Sequence, residues 1–157
     1  MAKAIAAVFL VWAGLLLGVS FVATPAKFLA PSLPLPQALD VGSWTFHVLT
    51  WIEAPMTAVL AAVVFIAWQR VTPGARLMAL CLAGIAAALA VQSFNVRPYL
   101  DARVLRIMAG ESVPADRMHT LYIALEAAKL AFMLTAGFVG LYAREAAIVP
   151  TGRLARS

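Results

Sequence analysis

His119, Glu126 and Lys129 stand in an otherwise apolar run, 118–143, that is long enough to cross a bilayer. At about 3.6 residues per turn, positions 119, 122, 126, 129 and 133 share one helix face, which reads His, Tyr, Glu, Lys, Met. The other faces are Ala, Leu, Ile, Phe and Gly. An ionised group deep in hydrocarbon costs at least about 2.5–3.5 kcal/mol, so the stripe has to face other helices or a wet cavity. A second imidazole, His47, and a second carboxylate, Glu53, occupy another apolar stretch. Imidazole with carboxylate suits copper, zinc or iron, and a pair of histidines suits haem. Glu126 and Lys129 are three apart and can pair on their own helix. Glu53 has no cation at i+3 or i+4, so its partner must come from another helix. Lys129 is the candidate, in competition with Glu126.

The surrounding chain is built to hold such groups out of water. Of 157 residues, 64% are apolar and 12% charged, where soluble domains run near 45–50% and 25%. That leaves too little polar surface for a water-soluble globule, and the protein reads as an integral membrane protein whose first partner is the lipid bilayer. The net charge of +5 is scattered around apolar runs, which marks topology rather than a nucleic-acid surface. Cys81 is the single cysteine, so there is no internal disulfide and no cysteine metal cluster. No phosphate loop, nucleotide motif or nucleophile–base arrangement is present, which disfavours hydrolases and ATP-driven pumps.

The expected fold is all-α: one domain, an integral membrane four-helix bundle with spans at about 4–23, 43–69, 77–99 and 118–143, and a loose basic tail over 144–157. The first apolar run, 4–26, exceeds the usual signal-peptide core of about 7–15 residues and is read as a retained span. Trp12 lies mid-span, as packing, and Gly14 and Gly18 form a small-xxx-small pattern. Pro25, Pro31, Pro34 and Pro36 predict a partly extended loop over 24–43, with Ser43 as N-cap of the second span. Pro55 should kink that span beside Glu53. Arg70 to Arg76 reads as a tight turn, Gly110 as the stop of a short helix over 99–109, and Asp116 as the N-cap of the last span. Four spans put both termini on one side. That side carries six basic residues against five on the other, which favours cytoplasmic termini.

The chain also repeats itself. Ser20-Phe21-Val-Ala-Thr-Pro25 returns as Ser93-Phe94-Asn-Val-Arg-Pro98 at an offset of 73 residues, and Glu53-Ala54 returns as Glu126-Ala127 at the same offset. The bundle is therefore expected to consist of two parallel two-helix repeats, with the site where they meet. In each, a His stands near the entrance and a Glu about 9–10 Å deeper. Asn95 and Arg97 end the third span on that side, so the intramembrane polar groups collect in one leaflet.

Three short motifs carry a resemblance: Phe46-His47 opening the second span, Asn95-Val-Arg97 with Asp101 and Arg103 after the third, and Arg117-Met-His119-Thr-Leu121 opening the fourth. On these the chain resembles the transmembrane protein 205-like family of small four-helix membrane proteins, and more distantly copper-resistance and haem-related four-helix membrane proteins. The resemblance implies a membrane location and an association with metal or metallodrug tolerance, and no particular reaction. Some relatives have Asn where this chain has Glu53 and Glu126.

Three readings stay open. In the first, the protein binds or transports a metal ion, received by His47 and His119 and held deeper by Glu53 and Glu126, with Lys129 setting the charge of the empty site. In the second, His47 and His119 are axial ligands of haem in a redox protein. In the third, the polar core only fixes packing in an accessory subunit that joins a homo-oligomer or a partner membrane protein. Tyr122, Asn95, Arg97, Asp101 and Arg103 would support the site, the last three doubling as a loop lock. Met56, Met118 and Met133 are soft ligands only if they are not packing.

Overall fold

A computed structural model of the protein describes residues 2–66, 73–114 and 116–142. The architecture is all-α, with four helices long and apolar enough to cross a membrane: Lys3–Leu29, Leu35–Ile66, Gly74–Met108 and Met118–Tyr142. This supports a multi-pass membrane protein. The expected turn around Arg70 lies partly, and the basic tail over 144–157 wholly, outside the described residues.

The first span is longer than its apolar run suggested. An α-helix over Ala2–Leu16 continues through a π-helical stretch, Leu17–Ala23, and ends in one tight turn, Lys27–Leu29. The expected loop over 24–43 shrinks to residues 30–34, because the prolines are accommodated. In an α-helix the ring of Pro25 would clash with the carbonyl of Phe21. The wider turn relieves this: the Thr24 amide bonds back to Val19 O, and its hydroxyl donates to the same oxygen at 2.8 Å. Pro36 falls in the first turn of the second span, where an amide hydrogen is not needed. That span starts at Leu35, eight residues before the expected Ser43, which lies inside the helix and caps nothing. The helix continues on both sides of Pro55.

The third span repeats the device of the first. Pro73–Val91 passes into a π-helical stretch, Gln92–Val96, and on into Arg97–Met108. Here too a proline, Pro98, follows at once. The two wide stretches end at Ala23 and Val96, which are 73 residues apart, the offset of the sequence repeat. The helix stops where Gly110 takes a positive φ of 83°. Asp116 caps the fourth span by accepting the Met118 amide at 2.7 Å.

The fourth span is the centre of the bundle, packed along its length against the first and the third. Glycines on it make this possible. A Cβ at Gly137 would overlap Leu10, and one at Gly140 would overlap Ala6 and Met78. Gly84 of the third span receives the Phe132 ring in the same way. Gly14 and Gly18 have open space around them, so the small-xxx-small pair of the first span is not a packing seam. The apolar core gathers Phe9, Trp12, Leu16, Leu60, Ile85 and Met133.

The second span is the outlier. It packs on the third span, and only 17% of its most apolar window is buried, against 33% for the fourth. Apolar grooves of about 430 and 630 Å³ separate it from the first span.

Candidate functional site

Three charged side chains meet at the middle of the bundle. Glu53, Glu126 and Lys129 are 1%, 2% and 1% exposed. Lys129 Nζ lies 2.6 Å from Glu53 Oε2 and 3.0 Å from Glu126 Oε1. The lysine therefore does not choose between the carboxylates: it joins the second span to its own. The stripe drawn from helical periodicity lies inside the bundle, with Tyr122, Glu126, Lys129 and Met133 all buried. Its first member, His119, is exposed at the helix entrance.

The carboxylate oxygens are also engaged by residues that charge alone did not single out. Trp12 Nε1 donates to Glu53 Oε1 at 3.1 Å. Gln92 Nε2 donates to Glu126 Oε1 at 2.8 Å, and Ser20 Oγ to Glu126 Oε2 at 2.9 Å. Each of the four spans thus supplies at least one member of the cluster. A signal for these was present. An indole N–H in mid-membrane needs an acceptor, and Ser20 and Gln92 are intramembrane polar residues within the two proline-linked π-helical stretches. Tyr122 packs its ring on Phe46, centroids 4.8 Å apart, and its carbonyl accepts from Gln92 at 3.4 Å.

A second polar layer lies nearer the bundle end and serves to join helices. Asp101 accepts from Ser43 Oγ at 2.6 Å and stands 3.0 Å from His47 Nε2. Arg97 donates to Thr50 Oγ1 at 2.6 Å. Arg103 pairs with Asp116 at 3.3 Å and donates to the Pro114 carbonyl at 2.9 Å. Asp101 and Arg97 therefore tether the second span to the third, and Arg103 closes the loop before the fourth. Asn95 is exposed, and among the described residues its side chain makes no bond to this layer.

The two imidazoles are placed differently. His47 is tied to Asp101 and packs between Trp44 and Trp51, with ring centroids at 5.7 and 6.5 Å. His119 lines a cavity of about 290 Å³ that it shares with Ser20, Thr24, Tyr122 and Glu126. His47 forms no part of that wall, so the structure joins His119 to Glu126 and leaves His47 apart. Among the described residues, no group of three or more His, Cys, Asp and Glu is close enough to hold a metal ion. Met133 is fully buried in the apolar core, and Met56 packs against it.

Set beside known proteins, the chain matches no family model, no curated protein and no solved structure. The resemblance to the transmembrane protein 205-like family thus rests on the short motifs alone. At the level of structure the protein is a small all-α bundle of apolar helices holding an internal network of His, Glu, Lys and Arg.

Proposed function

We propose that the protein binds a metal ion as its substrate at the two buried carboxylates, with Lys129 as the resident cation of the empty site. The observation that carries this reading is one ammonium shared by two carboxylates, on two helices, in a chain of membrane-spanning composition. With all three groups ionised, the cluster has one negative charge too many, which is costly in hydrocarbon and favours taking up a cation. The cavity from His119 to Glu126 supplies an approach. The 73-residue offset between Glu53-Ala54 and Glu126-Ala127 supports this reading, since a duplicated helix pair would bring equivalent glutamates to one ammonium.

The experiment is elemental analysis of purified protein equilibrated with zinc or copper and then desalted. The expected result is bound metal in the wild-type chain that is lost in Glu53→Gln with Glu126→Gln, with helicity retained by circular dichroism. A wild-type chain that holds no metal would overturn the reading.

A second reading has its own observation in support: every carboxylate oxygen of Glu53 and Glu126 has a donor. Carboxylates satisfied in this way are what a purely structural clamp requires, although among the described residues the Gln92 side-chain oxygen is buried with no partner. It predicts that the same variants lose stability while metal content stays at background throughout.

A further inference from the structure

A larger cavity, of about 590 Å³, opens at the end of the bundle where the first span turns into the second and the third approaches the fourth. Its volume lies within the range of about 300–1,000 Å³ typical of small-molecule sites. One side of the wall is apolar, with Phe28, Leu35, Leu39, Leu100, Val104 and Ile107. Phe28 and Leu35 are also 47% and 58% exposed, so the apolar wall continues onto the outer surface.

The charged groups on the wall are not balanced in kind. Each acid is already engaged: Asp101 by Ser43 and His47, Glu111 by Arg106 at 2.7 Å, and Asp116 by Arg103. Two cations have no such partner. Among the described residues, neither Lys27 nor Arg97 lies within ion-pair distance of a carboxylate. Lys27 is half-buried, with its ammonium 5.0 Å from the centre of the Phe28 ring. It is seated against Gly42, where any Cβ would overlap it. Arg97 spends one donor on Thr50, and a guanidinium carries five in a fork that matches carboxylate and phosphate. A third cation on the wall, Arg103, has its Nε buried without an acceptor.

We propose that this cavity binds an amphipathic anion: a molecule with an apolar body, laid along the leucine and phenylalanine wall, and one carboxylate or phosphate head between Lys27 and Arg97. A free fatty acid and an anionic bilayer lipid share that chemistry. The site is distinct from the buried carboxylates and does not depend on their role.

The test uses the full chain in a non-ionic detergent, with spin-labelled stearate as probe. The label should become immobilised at one site per chain. Oleate should displace it, and oleyl alcohol, with the same body and no charge, should not. Displacement by oleate alone identifies a free acid as the source, whereas displacement by phosphatidylglycerol as well identifies a bilayer lipid. Lys27→Gln and Arg97→Gln should each weaken binding about tenfold, as expected for a lost charge-assisted bond. Lys27→Arg should keep it, and Gly14→Ala, which meets open space, should leave it unchanged. Oleyl alcohol competing as well as oleate, or no immobilised probe in the wild-type chain, would overturn the proposal without recourse to any variant.

Discussion

Lys129 on the fourth span reaches Glu53 on the second with Nζ 2.6 Å from Oε2, and both side chains are 1% exposed. This contact crosses the bundle between residues 76 apart in the chain.

Removing the ammonium should be costlier than removing the whole cluster. Lys129→Met leaves two carboxylates buried with no cation, and breaking a buried pair from one side costs about 3–5 kcal/mol. Adding Glu53→Gln and Glu126→Gln to the same chain should recover much of that loss, since amides carry no charge to strand. Thermal unfolding in detergent measures both. A triple variant less stable than Lys129→Met would contradict the charge argument.

Trp12 should matter as a donor and not only as bulk. Trp12→Phe keeps an aromatic ring beside Phe9 but removes the N–H from Glu53 Oε1. A hydrogen bond to a charged group is worth about 1.5–3 kcal/mol, and the loss should fall in that range. In a Glu53→Leu background the same substitution should cost clearly less, which a double-mutant cycle on unfolding free energies would reveal.

The glycines should divide by location. Gly140→Leu pushes a side chain into Ala6 and Met78, and overpacking of this kind costs about 1–3 kcal/mol. Gly14→Ala and Gly18→Ala meet open space, and each should be neutral or stabilising by up to about 1 kcal/mol through helix propensity. Melting temperatures of the three variants decide the matter. A destabilising Gly14→Ala would point to a partner helix on that face.

Both termini should lie in the cytoplasm. Arg103 and Arg106, on the opposite end, are paired with Asp116 and Glu111. Their pull on orientation is thereby reduced, and the margin for the terminal side widens. A fluorescent protein fused after Ser157 should fold and emit, whereas alkaline phosphatase at the same position should be inactive. The reverse pattern would invert the topology.

Much of the fold and part of the site could be read from residue types. Apolar runs located all four helices, and period 3.6 put Tyr122, Glu126, Lys129 and Met133 on one buried face. The missing cation near Glu53 pointed to Lys129. What escaped was of two kinds. Proline density over 25–36 read as loop because π-helical turns, which absorb Pro25 and Pro98, leave no local signature beyond the prolines themselves. And among the neutral donors Trp12 read as packing while Ser20 and Gln92 were not singled out, since their role depends on which helices meet. His47 was expected at the entrance beside His119; its bond to Asp101, on the helix expected over 99–109, depends on how the second and third spans meet and has no signature in either segment alone.

The second span bears on how this protein comes apart. It is held at three heights by polar bonds, through Ser43 and His47 to Asp101, Thr50 to Arg97, and Glu53 to Lys129. Its apolar faces gain little by touching neighbours when lipid tails wet them equally well. Detachment of this one helix sideways into the bilayer, leaving a three-helix remnant, is therefore opposed chiefly by those polar rungs.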